Sequence, residues 1–259
     1  MNIWCMNGAG NNFMVIDARG MEAELDFAAL ALNLCQDQAA DGFMAVGDSD
    51  KGDFRLHFYN SDGSRGEMCG NGARCICRYA YDHGIAGESM VVETDAGLVP
   101  GWRIDQNQYT VKLNNPSVLD LNRKGDVAYA ELGNPGVPHA VKEVPGLTFE
   151  NKAEYWELGK ALRHDPAFPK GANANMYTWI GENAVRVLTF ERGVEDYTLA
   201  CGTGSGSLAA VLWKQGLFAH TLIAENPGGT LTLTVTGTHA IHSLHLDGPT
   251  EIIASVELD

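Results

Sequence analysis

The sequence predicts an α+β chain made of two homologous halves, each mainly short strands around one helix. Three observations carry that prediction. A Cys-Gly-x-Gly motif occurs twice, in EMCGNGARC at Cys69 and in ACGTGSGS at Cys201. The landmarks flanking the two copies keep a constant spacing of 132 residues. The rest of the chain breaks into short β-rich segments bounded by turn residues.

The elements follow in order. Upstream of Cys69, FRLHFYN alternates Phe54, Leu56 and Phe58 against Arg55 and His57, the pattern of a half-buried strand. Moved along by 132 residues it lands in VRVLTFER, where Leu188 and Phe190 match Leu56 and Phe58. Downstream of Cys69, Ala73, Ile76, Cys77, Ala80 and Tyr81 form a helical stripe that stops at Gly84, a C-cap residue. LAAVLWKQG after Cys201 is helix-like and stops at Gly216, again 132 residues on. TDAG ending at Gly97 and NPGG ending at Gly229 keep the same spacing. MVVETDAGLVPG, YTVKLN, LTLTVTG and EIIASVEL read as strands. The join falls near LNNPSVLDLNRKGD (113–126), where Pro, Asn and charge interrupt the patterning. The expected division is 1–115 plus 249–259 for the half carrying Cys69, and 116–248 for the half carrying Cys201.

Composition narrows the function. A chain of 259 residues, 45% apolar and 20% charged, can bury a full core. Its net charge of −15 repels phosphate backbones and anionic membranes, so neither is an expected partner. There is no apolar run of about 18 residues, and MNIWCMNGAGNNF lacks the basic head and apolar stretch of a signal peptide. A cytoplasmic location is expected. Cys5, Cys35, Cys69, Cys75, Cys77 and Cys201 are too few for a disulfide scaffold and read as thiols. Cys69, Cys75 and Cys77 lack the paired spacing of a zinc site, so no metal is expected. His239, His242 and His245 in THAIHSLHL read as solvent-side or turn residues, since a strand puts His242 on the face opposite the other two. Neither a Walker A lysine nor a strand-borne G-x-G-x-x-G is present, and no cofactor is expected.

A thiol at a helix mouth has a specific chemistry. The first helical N–H groups lack intrahelical partners, and the macrodipole adds partial positive charge there. Both favour a thiolate and make a site for an anion such as a carboxylate. The glycines at 70, 72, 202 and 204 let the backbone approach that anion. A lone Cys before Gly-x-Gly is more often a small buried residue. Two at one register in a duplicated chain point instead to function, whereas Cys75 and Cys77, within the helix, read as structural. If the halves face each other about a pseudo-twofold axis, one thiolate can remove an α-proton while the opposite thiol protonates the other face. Two helix mouths would hold the charge that develops on the carboxylate; losing one such donor typically costs about 2.7–4 kcal/mol.

FYNSDGSRGEMCGNGARC and FERGVEDYTLACGTGSGS resemble the two signature regions of the diaminopimelate epimerases, and NGAGNNFMVID near the N-terminus resembles a third. The order and spacing match along nearly the whole chain. The resemblance implies a pyridoxal-independent epimerase that interconverts LL- and meso-diaminopimelate in lysine and peptidoglycan precursor biosynthesis. It implies two α+β halves, each a mixed sheet wrapped around a central helix, with the site in the cleft between. It makes Cys69 and Cys201 the acid/base pair and gives the backbone at Gly70–Asn71 and Gly202–Thr203 to the reacting carboxylate. Asn11, Asn60, Asn173, Glu191 and Arg192 match the family's substrate residues, several of which grip the distal amino-acid end. His139 and Glu191 match positions that tune the thiols. A homodimer is expected from the family alone.

The sequence also departs from the family's pattern. The usual G-N-D-F is G-N-N-F at Asn12. The common G-N-P-H corresponds to Gly136-Val137-Pro138-His139, or else to Gly133-Asn134-Pro135, which keeps the asparagine and loses the histidine. Gly42 stands where some members carry a glutamine. Rival readings are a racemase of another amino acid on the same fold, a PhzF-like isomerase, a thiol redox protein, for which no C-x-x-C exists, and a non-enzymatic binding module.

Overall fold

The computed structural model describes residues 2–66 and 69–257. Contacts divide the chain into Met1–Val111 with Gly248–Asp259, and Lys112–Asp247. The first unit holds strands β1 (Asn2–Gly8), β2 (Asn11–Asp17), β3 (Gly42–Gly47), β4 (Phe54–Asn60), β5 (Ser89–Thr94), β6 (Gly97–Arg103) and most of β7 (Gln108–Leu113). From the end of the chain it takes β17 (Glu251–Glu257). Its helices are α1 (Phe27–Gln38) and α2 (Gly70–Asp82). The second unit holds β8 (Pro116–Lys124), β9 (Val127–Gly133), β10 (Gly136–Glu143), β11 (Asn173–Gly181), β12 (Ala184–Phe190), the short β13 (Tyr197–Thr198), β14 (Thr221–Asn226), β15 (Gly229–Gly237) and most of β16 (Ile241–Pro249). Its helices are α3 (Trp156–Arg163) and α4 (Gly202–Lys214).

The pairing order is the same in both units. In the first it runs β17-β1-β2-β3-β4-β5-β6-β7, antiparallel except for β2–β3 and β4–β5. In the second it runs β8-β9-β10-β11-β12-β14-β15-β16, antiparallel except for β10–β11 and β12–β14. Parallel neighbours need a crossover, and each of the four parallel steps has a helix in it: α1 and α2, then α3 and α4. The fold is α+β in two repeated halves.

Helices α2 and α4 are buried through their first three turns, Thr203 of α4 being the one partly exposed position there. Gly84 and Gly216 follow them with φ of 67° and 74°, left-handed values that glycine adopts without strain. The second helix of each unit is absent from the sequence reading. In α1, Phe27, Ala31 and Cys35 are buried, and Asp26 caps the helix by accepting the Ala29 N–H at 3.1 Å. It covers the sheet face opposite α2: Met14, Phe43 and Ala45 pack with α1, whereas Phe13 and Met44 lie against Gly72 of α2. The stretch at 116–124, read as an interruption, is the strand β8, paired with β9.

One register differs from the sequence alignment. Arg55 pairs with Glu93 in β4–β5 and Arg186 with Glu225 in β12–β14, and both pairs are ion pairs. This sets β12 one residue short of the spacing that relates the helices, so Phe58 corresponds to Thr189 and not to Phe190. A one-residue slip turns every side chain to the other face. Leu188 and Phe190 therefore pack in the core beside α3, where Trp156 meets Phe190 edge-on at 5.1 Å.

Candidate active site

Each Cys-Gly-x-Gly motif opens a helix. Cys69 is the N-cap of α2, with φ −119° and ψ 122°; Cys201 is the N-cap of α4, with φ −117° and ψ 109°. Both are extended, and both carbonyls open the helical ladder by accepting from Ala73 at 2.7 Å and Ser205 at 2.9 Å. The side chain at an N-cap lies beside the unpaired N–H groups of the first turn. At the second mouth this is explicit: the Gly204 N–H donates to Cys201 Sγ at 3.3 Å, and Thr203 Oγ1 lies 3.6 Å from the sulfur. Cys69 is half-buried and Cys201 buried. Glu67 and Met68, which precede Cys69 in the motif, lie outside the described residues.

In the first unit, Asn71 is buried, and its Nδ2 donates to Asn11 Oδ1 at 2.7 Å, joining β2 to the helix mouth. The fully buried Arg74 donates to Asn71 Oδ1 at 2.9 Å and to the Gly70 carbonyl at 3.3 Å. Asn60 ends β4, is exposed, and donates to Ser64 Oγ at 2.9 Å. Gly42 is closely packed: a Cβ there would stand 2.8 Å from the Phe58 ring and 3.0 Å from the Tyr59 carbonyl. A longer side chain does not fit without moving Phe58.

In the second unit, β10 and β11 run parallel with His139 opposite Asn173. Asn173 Nδ2 donates to the Pro138 carbonyl at 3.2 Å, and its Oδ1 accepts the Arg192 N–H at 2.8 Å. One side chain thus ties β10 to the loop that carries Arg192. The Arg192 guanidinium donates to the Lys170 carbonyl at 3.1 Å. Lys170 in turn pairs with Glu131 at 2.7 Å, and the Tyr129 hydroxyl donates to the same carboxylate at 2.7 Å. Glu191 accepts from Thr198 Oγ1 at 2.9 Å. Asn134 lies in the β9–β10 turn, while Gly136, Val137, Pro138 and His139 belong to β10.

Burial pushes Cys75 and Cys77 up to about 12 and Cys35 up to about 11, so they stay protonated at neutral pH. His139 is completely buried; desolvation, then the Arg192 charge, push it down to about 3. The sequence reading missed Asn175 and Thr189, both buried beside His139, and also Arg74. A signal for Asn175 was present, because Asn173 and Asn175 sit two apart in the otherwise apolar strand NANMYTWIG.

The family model of diaminopimelate epimerase matches residues 3–119 and 132–249. The diaminopimelate epimerase of Aquifex aeolicus (strain VF5) is 36% identical over 250 residues, covering 90% of this chain and 86% of its own. That of Archaeoglobus fulgidus is 33% identical over 251 residues, covering 89% of this chain and 88% of its own. Two solved structures share the fold. A PhzF-family phenazine biosynthesis protein of Bacillus anthracis has a TM-score of 0.73 at 16% identity, covering 100% of this chain and 99% of its own. A hydroxyproline epimerase of Agrobacterium vitis has a TM-score of 0.69 at 16% identity, covering 100% of this chain and 90% of its own. With both repeated halves matched by one family model and nearly the whole length by curated relatives, the chain belongs to the diaminopimelate epimerase family.

Proposed function

We propose that this protein is a pyridoxal-independent isomerase that interconverts LL- and meso-diaminopimelate, with Cys69 and Cys201 as its acid/base pair. The observation that carries the reading is the matched build of the two helix mouths, each capped by a cysteine in the same backbone conformation. A thiolate at one mouth takes the α-proton, and the thiol at the other gives its proton to the opposite face of the carbanion. The reverse reaction exchanges the roles, so the pair holds one proton before and after each turnover and only its position alternates between the two sulfurs. The backbone at Gly70–Asn71 and Gly202–Thr203 binds the reacting carboxylate, where the helix dipoles offset its growing charge.

The distal amino-acid head calls for a guanidinium, a carboxylate and amides, which Arg192, Glu191, Asn60 and Asn173 supply. Asn11 is held at the first mouth by Asn71. His139 and Glu191 act on the thiols. A cytoplasmic location and a homodimer belong to the same proposal. No described helix is long and apolar enough to cross a membrane.

The test is incubation of the reduced enzyme with LL-diaminopimelate in heavy water, reading stereochemistry and α-deuterium by chromatography and mass. Meso product carrying deuterium, lost in Cys69→Ala and in Cys201→Ala, supports the reading. General acid–base catalysis typically contributes about 10²–10⁴-fold, and losses of that order are expected. A second reading is a racemase of another amino acid on the same fold: Gly42, closely packed against Phe58, stands where the resemblance places a glutamine in some members. Turnover of proline or histidine with no exchange of diaminopimelate would establish that alternative.

A further inference from the structure

The repeated pairing order lets the two units be compared position by position. Phe13 pairs with Gly42 in β2–β3 as His139 pairs with Asn173 in β10–β11. Met44 faces Phe58 in β3–β4 as Asn175 faces Thr189 in β11–β12. Gly72 and Gly204 occupy the same position in the first turns of α2 and α4. Phe13, Met44 and Phe58 therefore correspond to His139, Asn175 and Thr189.

The two trios differ completely in chemistry. Under Gly72 the packing is apolar: a Cβ there would meet Met44 Sδ at 3.1 Å and Phe13 at 3.5 Å, and Phe13 meets Phe58 edge-on at 6.3 Å. Under Gly204 the packing is polar and buried, with His139 and Asn175 at 0% exposure and Thr189 at 2%. A Cβ on Gly204 would collide with Asn175 Oδ1 and stand 3.1 Å from Cys201 Sγ. The apolar trio shows what this frame accepts at that place, so the fold does not require the polar one. Burying three polar side chains is costly unless each is satisfied.

The hydrogen bonds fix the proton on the ring. Asn175 Nδ2 donates to the Ala140 carbonyl at 3.0 Å and the Asn173 carbonyl at 3.1 Å, while its Oδ1 accepts from Thr189 Oγ1 at 3.0 Å. Two carbonyl acceptors leave no doubt which end of the amide is nitrogen. That nitrogen lies 3.2 Å from His139 Nδ1. The amide has two hydrogens for three neighbouring acceptors, so one is shared between a carbonyl and the ring. Because an amide nitrogen cannot accept, an Nδ1–H would point at a donor, and the ring hydrogen therefore sits on Nε2. Nε2 is itself buried and has no hydrogen-bond partner among the described residues.

We propose that Asn175 is a positioning residue that locks His139 as the neutral Nε2–H tautomer, so that the unit carrying Cys201 presents a buried hydrogen-bond donor, not a base. The donor serves an anionic sulfur or the anionic form of the substrate. It rests on the reading of Cys201 as an acid/base residue. Burial and the Arg192 charge act in the same direction by keeping the ring neutral.

Long-range proton–nitrogen NMR on enzyme labelled at histidine tests this without substrate, the His139 signal being identified by its loss in His139→Gln. The expected spectrum shows Nε2–H, an unprotonated Nδ1, and no titration across about pH 5 to 8. In Asn175→Asp no N–H faces Nδ1. The oxygen in its place, set against the Ala140 and Asn173 carbonyls, accepts from the ring, so hydrogen moves onto Nδ1, with or without a second proton on the ring. The kcat then falls about tenfold or more with KM little changed. Asn175→Met copies Met44 and keeps the fold while releasing the ring. A wild-type ring protonated on Nδ1, a ring titrating in that range, or a tautomer unchanged by Asn175→Asp overturns the proposal. The expected tautomer without any α-deuterium exchange would overturn the epimerase reading and leave the ring assignment standing.

Discussion

The Gly204 N–H donates to Cys201 Sγ at 3.3 Å, while on its other side the Gly204 α-carbon stands against Asn175 Oδ1 with no space for a methyl group. The residue has two constraints, one from the thiol and one from the strand below it. Gly204→Ala must push α4 away from β11 or tilt its first turn. Overpacking of this kind typically costs about 1–3 kcal/mol. We expect a lower melting temperature together with loss of turnover, because the thiol cap shifts with the turn. Gly216→Ala, at a solvent-side position of φ 74°, is the comparison: backbone strain there should lower stability while turnover of the folded enzyme is kept. Loss of turnover in both variants would remove the link to Cys201.

Asn173 joins the Pro138 carbonyl to the Arg192 N–H. Asn173→Ala leaves the buried Pro138 carbonyl without this partner, at a typical cost of about 1–3 kcal/mol, and frees the N–H of exposed Arg192 to water. The Arg192 loop loses its anchor, so KM should rise more than kcat falls. Urea unfolding and steady-state kinetics measure the two effects. Unchanged KM would show that Asn173 is structural only.

His139 gives a pH signature. Its folded pKa is pushed down to about 3 from an ordinary 6.5, so between those values the unfolded chain binds the extra proton. Its contribution to stability is therefore complete above 6.5 and is lost as pH falls through that window. One proton of difference gives a slope approaching about 1.4 kcal/mol per pH unit. His139→Gln should show a shallower fall in urea midpoint between the two pH values, the other titrating groups being shared. Parallel curves for the two proteins would contradict the burial of a neutral ring.

Much of the site could be read directly from residues. Cys69 and Cys201 as helix caps, the helices after them, and Gly84 and Gly216 at their ends follow from local chemistry: unpaired N–H groups, a 3.6-residue stripe, and a left-handed stop. Asn11 and Asn71, 60 positions apart, meet only because β2 passes the mouth of α2, which no local pattern shows. Helix α1 was missed because its buried face consists of only Phe27, Ala31 and Cys35, a narrow stripe among other apolar residues.

The sequence by itself determined the duplication, the α+β class, the two cysteine-capped helices and the family, since each rests on residue order and spacing. Only the tertiary structure decided which face of each strand looks at α4. Leu188 and Phe190 alternate as Leu56 and Phe58 do, yet strand pairing with β14 sets them one residue out of step. Period-two alternation tells which residues share a face but not which face it is; that is fixed by hydrogen-bond register to a neighbouring strand. Thr189, Asn175 and His139 thereby come together beneath Gly204, where the other unit has Phe58, Met44 and Phe13.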